Sequence, residues 1–217
     1  MPHPKRPQFS PYKWTIVTLG FVILGVLGYR FLLQHDDAVI ASKLPKFYTV
    51  PPFILTERSG KTVTNMDLDG KIWVADFIFT TCPGPCPLVT ANMAKLQTSL
   101  AHDPRVQLVT FTVDPQNDTQ AVLAAYADKF GADPNRWWFL TGPQKSVYDL
   151  IQDGFKLVVQ DNHGQPLQDG EYVVTHSTQL VLIDGDGYVR AYSDGVGADG
   201  RAEMLHNIKT LEQEEAP

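Results

Sequence analysis

Cysteine is scarce in this chain, whose 217 residues contain two, Cys82 and Cys86. Small secreted proteins with little core are held by several disulfides that join distant parts of the chain. Two thiols this close in sequence cannot brace a chain of this length in that way. We therefore expect the pair to carry chemistry. An inert disulfide, formed in an oxidising compartment, is the alternative interpretation.

Positive charge is scarce beyond the N-terminus. The chain has 18 Lys and Arg against 24 Asp and Glu. Four of the basic residues precede position 36, and these are Lys5, Arg6, Lys13 and Arg30. Residues 36–217 therefore keep 14 of the 18 positive charges against all 24 negative ones, a formal charge of −10. An acidic domain repels phosphate backbones, so nucleic acid is not an expected partner.

One long apolar run lies near the N-terminus, at 14–33, and its one charged residue is Arg30. A helix needs about 20 such residues to span the hydrocarbon core of a bilayer. Arg30 lies near the end of the run, where its side chain can extend to the headgroups, and Trp14 and Tyr29 suit the two interfaces. The run predicts one N-terminal transmembrane helix that anchors the protein.

The charges on either side of this run predict its orientation. Residues 1–13 carry basic side chains, whereas Asp36 and Asp37 follow the run, so we expect 1–13 in the cytoplasm and the rest exported. A cleaved signal peptide is the alternative, although its apolar region would usually be shorter and 38–41 is a poor cleavage site. The short basic N-terminus favours a bacterial inner membrane, with the domain in the periplasm, over a mitochondrial inner membrane.

The exported part alternates between two kinds of apolar pattern. Continuous β-branched and aromatic runs alternate with segments of helical periodicity, which is typical of an α/β sheet. Residues 34–50 lack such patterns and lead into two prolines, so we predict a linker there, a folded domain over 51–213 and a tail over 214–217.

Within this domain the patterns predict individual elements. The predicted strands are 71–79, 106–113, 137–140, 178–183 and 188–192, with 155–159 also extended. The predicted helices start after Pro87, after a cap at Asp118 (ending near Phe130), at Ser146 (to Asp153) and at Arg201 (to Gln213). A polar loop is predicted over 161–171, and the Asp-Gly turn at 184–187 predicts a hairpin.

The two cysteines lie in the run Cys-Pro-Gly-Pro-Cys-Pro at 82–87, directly after the first predicted strand. The three prolines restrict the backbone and delay the helix until after the second cysteine. Cys86 then lies at the start of a helix, where unpaired N–H groups and the helix dipole lower the pKa of a thiol. Thiolate is the form that binds metals and attacks disulfides.

Three segments together resemble the Sco (SenC) family: TCPGPCP at 81–87, VTFTVDPQNDT at 109–119, and VVTHST at 173–178 before a hairpin. The resemblance runs over about 51–213 and, with the anchor, covers nearly the whole chain. It implies a thioredoxin-like fold and delivery of copper, or of reducing equivalents, to the binuclear copper centre of cytochrome c oxidase. The implied partners are the copper-bearing subunit of that oxidase or another copper chaperone.

Carried over residue by residue, the resemblance places the metal ligands on Cys82, Cys86 and His176. Two soft thiolates select Cu(I), and an added imidazole gives a three-coordinate site that can also hold Cu(II). His176 is distant in sequence, so only the fold can bring it near. Without the resemblance, a satisfied or exposed histidine would be the better interpretation.

The Asp-Pro pair of the family pattern falls on Asp114 and Pro115. We expect Asp114 to support the site by orienting groups near the thiols, with a turn or cap role as the alternative. His163, in the polar loop, could approach the site, but a solvated turn residue is the favoured interpretation. For Met93, core packing is favoured over a role as a thioether ligand.

The chain departs from the family pattern at two positions. Gly84 stands where an acidic residue often separates the cysteines, and Thr175 stands where an Asp is common before the histidine. Loss of these carboxylates should lower the local negative charge and alter the thiolate pKa and metal preference. We expect copper binding to be retained.

A thiol–disulfide oxidoreductase acting on the cysteines of a copper-protein partner is the main alternative function, because two thiols suffice for exchange. The Cys-x-x-x-Cys spacing is wider than the Cys-x-x-Cys of ordinary thioredoxins and better suits chelation. A redox or copper sensor would use the same three residues. A peroxidase is disfavoured, because its site needs one activated thiolate and here both cysteines are clustered.

Overall fold

The computed structural model describes residues 43–164 and 174–215, together with Leu24, Gly25 and Tyr29. Those three residues are helical, and the rest of the predicted anchor at 14–33 lies outside the described residues. Among the helices within the described ranges, none combines the length and apolar character needed to cross a membrane. The chain divides into two units between residues 42 and 43, and the second unit is the folded domain.

Nine strands are found in the described part of this domain. They are β1 (Ile54–Glu57), β2 (Thr62–Thr64), β3 (Ile72–Ile78), β4 (Val106–Thr112), β5 (Trp137–Thr141), β6 (Val159–Asp161), β7 (Val174–His176), β8 (Gln179–Ile183) and β9 (Val189–Asp194). Seven of them form a mixed sheet in the order β2-β1-β5-β4-β3-β8-β9, and β6 and β7 form a separate antiparallel ribbon. The central strands β3, β4 and β5 are parallel, and the outer ones are antiparallel.

The helices are α1 (Cys86–Ser99), α2 (Gln120–Lys129), α3 (Gln144–Asp149) and α4 (Ala198–Glu214). A 3₁₀ turn at Asn65–Leu68 and a π-helical turn at Leu150–Gly154 complete the regular structure of the described residues. Parallel strands need long crossovers, and α1 and α2 supply them between β3, β4 and β5. The α/β class expected from the alternating patterns is thereby confirmed.

The core lies against both faces of β3 and β4, which are buried at every residue. This burial explains why the two strands are mostly apolar, because a parallel strand covered on both sides has no polar face. On one face, the rings of Phe77, Phe111 and Phe155 pack with centroids 5.1 to 5.7 Å apart. The register from Ile72 opposite Val106 to Ile78 opposite Thr112 ends both strands at the same edge. The loops that follow these strands are therefore neighbours.

The structure corrects the predicted cap of α2. The N-cap is Thr119, whose side-chain oxygen accepts from the N–H of Val122 at 3.4 Å, and not Asp118. Asp118 lies one residue earlier and is completely buried, so its carboxylate faces the interior.

Two further predictions of extended structure need correction. The segment predicted as extended over 155–159 continues the preceding helical turn at Phe155 and passes through a positive φ of 54° at Lys156. Strand β6 therefore begins at Val159. The β1–β2 hairpin was not predicted, although Gly60 marks its turn with a φ of 91°, a backbone conformation that favours glycine.

The domain begins before the predicted boundary at 51. The N–H of Phe47 donates to the carbonyl oxygen of Val189 at 3.0 Å, and the N–H of Val50 donates to that of Gly187 at 2.9 Å. Residues 43–50, predicted as part of the linker, thus lie along the start of β9 and belong to the folded unit. The mixed composition of this segment hid its pairing, because it is held largely by backbone hydrogen bonds and only Leu44, Tyr48 and Val50 pack against the core.

Arg190 fastens this segment to the rest of the domain. Its side chain is 4% exposed and donates to Asp184 Oδ2 at 3.0 Å, to Glu214 at the end of α4, and to the carbonyl oxygens of Leu44 and Pro45 at 2.7 and 3.0 Å. One guanidinium therefore joins the N-terminal segment, the β8–β9 hairpin and the last helix.

Arg190→Met should lower the free energy of unfolding by about 3–5 kcal/mol, because it leaves a buried carboxylate without its partner. Urea unfolding of the full-length protein measures the change. Arg105→Met is the matched control, since its ion pair with Glu212 is half exposed and should contribute about 1 kcal/mol or less. Equal losses in the two variants would contradict the assigned role of Arg190.

Candidate functional site

The cysteine loop leaves the end of β3 and enters α1. The N–H of Cys82 donates to the carbonyl oxygen of Phe79 at 3.2 Å, which closes a turn directly after the strand. Helix α1 begins at Cys86, and the carbonyl of Pro85 accepts from the N–H groups of Leu88 and Val89. Both cysteines are free thiols, 6% and 0% exposed. The helix was predicted to start after Pro87 and instead includes Cys86 and Pro87, but the expected position of Cys86 at a helix start is confirmed.

The fold brings His176 to the cysteines across 90 residues of sequence. Its Nε2 lies 3.4 Å from Sγ of Cys86. The residue ends β7, where it pairs with Val159 of β6, and its ring packs edge-on against Phe79 at 5.7 Å between centroids. Its Nδ1 donates to the carbonyl oxygen of Ser177 at 2.8 Å, so the other ring nitrogen is the one that faces the thiol.

A glycine allows the chain after His176 to pass close to the β9–α4 loop. The N–H of Gly195 donates to the carbonyl oxygen of Thr178 at 3.0 Å, and a Cβ at Gly195 would lie 2.3 Å from that oxygen. Asn92 of α1 donates to the carbonyl oxygens of Gly195 and Val196, both at 2.9 Å. Helix α1 and the histidine loop are thus held in one packed unit.

The two thiols differ strongly in acidity. A hydrogen bond from the thiol of Cys86 lowers the pKa of Cys82 to about 4, and the imidazole of His176 and the backbone N–H groups of Cys86 and Gly84 add to this effect against the cost of burial. The same hydrogen bond, together with burial, raises the pKa of Cys86, so the lowered pKa expected from its place at the helix start is wrong. At neutral pH the reduced pair is therefore a thiolate at Cys82 that accepts a hydrogen bond from the thiol of Cys86.

Asp118 ties the cysteine loop to the loop after β4. Its carboxylate accepts from the backbone N–H of Thr80 at 3.1 Å and from the hydroxyls of Thr80 and Thr112. This role was not predicted, because Asp118 was interpreted as a helix cap. The adjacent Thr119 was the available signal, because it is itself a good N-cap and leaves the aspartate free for another task.

Asp114 lies in the same loop and is 2% exposed. Its carboxylate accepts from Nδ2 of Asn117 at 2.9 and 3.1 Å, and its carbonyl oxygen accepts from the N–H of Asp118 at 2.9 Å. These contacts match the alternative interpretation of Asp114 as a turn residue. In the described residues, no hydrogen bond joins it to either cysteine, so a supporting role in the site stays a prediction.

His163 is an exposed turn residue, as the favoured interpretation had it, and its ring also contacts two carboxylates. Its Nδ1 lies 2.7 Å from Oδ1 of Asp161, and its Nε2 lies 3.8 Å from Oδ1 of Asp114. The structure thus brings His163 to the Asp114 loop. Met93 is fully buried among core residues, as expected. Thr175 is exposed.

The metal-binding potential of the site comes from two sulfurs and one imidazole nitrogen. Among residues 43–164 and 174–215, no group of three or more His, Cys, Asp or Glu is already arranged to hold a metal ion. Cys86 Sγ and His176 Nε2 nevertheless lie close enough to bind one metal ion together. Metal bonds of about 2.3 Å to a thiolate and about 2.1 Å to an imidazole require these two atoms to lie within roughly 4.4 Å of each other. The donors fit a soft metal once the Cys86 thiol loses its proton.

Comparison with known proteins adds an independent finding. The SCO1/SenC family model matches residues 41–213. The SCO1 protein homolog of Bacillus subtilis (strain 168) is 34% identical over 170 residues, which cover 77% of this chain and 85% of that protein.

Two solved structures are similar throughout the domain. BsSco, described as a member of the Sco family of cytochrome c oxidase assembly proteins with a disulfide switch, is 31% identical with a TM-score of 0.67, over 78% of this chain and 96% of that one. ScoI of Bradyrhizobium japonicum with copper bound is 26% identical with a TM-score of 0.61, over 74% of this chain and 99% of that one. These likenesses confirm the expected thioredoxin-like α/β fold.

Alkylation of the reduced full-length protein at varied pH should report Cys82 as a thiolate with a midpoint near pH 4. Cys86→Ala should move the midpoint upward, toward the value of about 8.5 for a free thiol, because it removes the main hydrogen bond to the sulfur. His176→Ala should give a smaller upward shift, and the exposed His102→Ala none. An unchanged midpoint in Cys86→Ala would refute the assigned cause.

Asp118→Ala should lower the free energy of unfolding by about 1–3 kcal/mol, because it leaves the part-buried N–H of Thr80 without its acceptor. Hydrogen exchange at the Thr80 amide should become faster. Thr119→Ala is the control, since loss of the helix cap costs about 1 kcal/mol without touching that amide. If both variants accelerate exchange at Thr80 equally, Asp118 does not hold the cysteine loop.

Proposed function

This chain belongs to the SCO1/SenC family, and we propose that it is a copper metallochaperone that binds copper through Cys82, Cys86 and His176. The observation that carries the proposal is the 3.4 Å contact between Sγ of Cys86 and Nε2 of His176, which the fold creates across 90 residues. Copper is the cargo of this site and not a resident cofactor. The similarity to a ScoI structure with copper bound supports the assignment.

The acidity difference within the pair suits the loading of a soft metal. Cys82 is already a thiolate at neutral pH, so it can bind Cu(I) without first losing a proton. Cys86 supplies the second sulfur after releasing its proton, so loading is proton-linked. The imidazole then completes a three-coordinate donor set. Release to an acceptor would proceed by exchange of these few ligands.

The proposed acceptor is the copper-bearing subunit of cytochrome c oxidase or another copper chaperone. The description of BsSco as a cytochrome c oxidase assembly protein supports this partner class. Pro83 and Pro87 flank the cysteines and are exposed, so an acceptor can approach the loop. We propose that the apolar run at 14–33 anchors the protein in a bacterial inner membrane with the domain in the periplasm, and the charge pattern around that run supports this orientation.

A thiol–disulfide oxidoreductase is the second candidate, and the asymmetric thiol pair favours it. The Cys82 thiolate would attack a partner disulfide and release one partner thiol, and the Cys86 sulfur would then displace the second and leave the Cys82–Cys86 disulfide. The partner gains the two electrons that the pair loses. Reduction of the cysteines of a copper-protein partner would be such a reaction, and a redox or copper sensor would use the same three residues.

Titration of the reduced full-length protein with Cu(I) and with Cu(II) separates these functions. The metallochaperone should bind one copper, with thiolate-to-copper charge-transfer absorption in the Cu(II) form. Cys82→Ser/Cys86→Ser should abolish binding, and His176→Ala should weaken it roughly tenfold or more, since even outer residues of a metal site contribute that much.

His163→Ala is the matched control, because this histidine contacts Asp114 and not the thiols, and it should leave copper affinity unchanged. Loss of affinity in that variant equal to the loss in His176→Ala would contradict the ligand assignment. Absence of stoichiometric copper, together with intact disulfide exchange, would favour the oxidoreductase.

A further inference from the structure

A cleft lies on the histidine side of the candidate copper site and contains none of its ligands. It has a volume of about 340 Å³ and is lined by Tyr48, Lys156, Leu157, Gln179 and Tyr192. Gln179 begins β8 shortly after His176, and Val159, which pairs with His176, lies just beyond Leu157 in the chain. A ligand in the cleft would therefore lie beside the strand that carries the histidine.

The backbone of Lys156 is strained. Its φ is 54°, and apart from glycines no other residue in the described part of the chain has a positive φ. Glycine adopts this conformation without strain, so a lysine here lowers the stability of the fold unless its side chain has a use. An outlier of this kind points to a functional site.

Two tyrosines hold the strained peptide in place. The carbonyl oxygen of Phe155, the residue before the lysine, accepts from the hydroxyls of Tyr48 and Tyr192 at 3.3 and 2.8 Å. The two hydroxyls also contact each other. Because both hydroxyls bind the backbone, the aromatic rings are the part of these residues that remains for a ligand.

A cation and an amide line the same cleft. Nζ of Lys156 lies 5.7 Å from the centroid of the Tyr48 ring and forms no ion pair with a described residue. The side-chain amide of Gln179 has no hydrogen-bond partner in the described part of the chain. No acidic side chain of the described residues lines the cleft, although residues 36–217 carry 24 acidic side chains against 14 basic ones. An ammonium and an amide beside aromatic rings suit a carboxylate attached to an apolar group.

Exposed apolar side chains border the cleft. Phe47 is 51% exposed, and its ring centroid lies 6.2 Å from that of Tyr192. Val158, which follows Leu157, is 68% exposed. Exposed apolar groups around a cleft are typical of surfaces that bind other proteins, whereas small ligands prefer more enclosed cavities. The expected occupant is therefore a segment of another protein.

We propose that this cleft docks a partner protein through a segment in which an acidic side chain lies next to an aromatic or aliphatic one. Lys156 and Gln179 bind the carboxylate. The rings of Tyr48 and Tyr192 receive the apolar side chain. Because the cleft adjoins the strand of His176, the partner is the protein that exchanges copper with the site, and in this respect the inference rests on the proposed function. Docking itself involves neither copper nor the thiols.

A short peptide tests the docking chemistry without metal. Acetyl-Phe-Glu-amide, titrated into the reduced full-length protein, should shift the amide NMR signals of Lys156 and Gln179. Acetyl-Phe-Gln-amide, which lacks the charge, should bind about fivefold more weakly, the largest factor expected from an exposed ion pair. Equal binding of the two peptides would overturn the proposal. Sodium acetate that binds as tightly as the acidic peptide would show a site for small anions and would overturn it as well.

Variants of the lysine locate the interaction. Lys156→Gln should weaken binding of the acidic peptide by about fivefold, whereas Lys156→Arg should retain it. Lys209→Gln is the matched control, because Lys209 is an exposed lysine on α4 and should leave peptide binding unchanged. An equal loss in Lys156→Gln and Lys209→Gln would show a general effect of charge and contradict the assigned site.

Stability separates docking from a structural role of the same lysine. Lys156→Gly relieves the positive φ, so its melting temperature should be equal to or higher than that of the parent, while peptide binding is lost. A lower melting temperature with unchanged peptide binding would assign Lys156 to the fold alone and overturn the proposal.

Copper transfer tests the identity of the partner. Copper-loaded full-length protein is mixed with the copper-bearing subunit of cytochrome c oxidase, and the Lys156→Gln variant should transfer copper about fivefold more slowly with unchanged copper affinity. Equal transfer rates would overturn docking of this partner in the cleft. If the protein binds no copper, the proposed function fails, and the peptide titration still decides whether the cleft is a docking site. Changes in the Lys156 and Gln179 signals on dilution of the protein alone would show that a second copy occupies the cleft and would overturn the proposal.

Discussion

Parallel pairing of β3 with β4 is the constraint on which the site depends. The two strands end in register, so the cysteine loop and the loop after β4 leave the sheet side by side. Asp118 then joins the loops by accepting from Thr80 and from Thr112. A buried carboxylate is costly unless donors satisfy it, so Asp118 favours the arrangement in which Thr80, two residues before Cys82, stays beside Thr112.

Charge is distributed unevenly around the thiols. The pKa of Cys82 is lowered to about 4, while the pKa of Cys86 is raised by the same hydrogen bond and by burial. The pair thus holds a single negative charge and a single proton. Proton binding, disulfide formation and copper loading therefore all act on this one pair of sulfurs.

The elements with a strong local pattern were predicted well. The buried strands β3 and β4 and the β8–β9 hairpin followed from β-branched runs and an Asp-Gly turn. The elements that failed depend on contacts between distant segments. Residues 43–50 looked like a linker because their order comes from backbone hydrogen bonds to β9, and the cap assigned to Asp118 overlooked an interior that draws its carboxylate away from the helix.

The sequence by itself determined the α/β class, the position of the thiol pair between a strand and a helix, and, through family resemblance, the candidate ligands. Local patterns and soft-ligand chemistry carry that much information. Tertiary structure decided that His176 reaches Cys86, that His163 lies near Asp114, and that the carboxylate of Asp118 holds Thr80 at the cysteine loop. Those facts depend on distances between residues far apart in the chain, and such distances arise only when the sheet closes and the loops at its edge pack together.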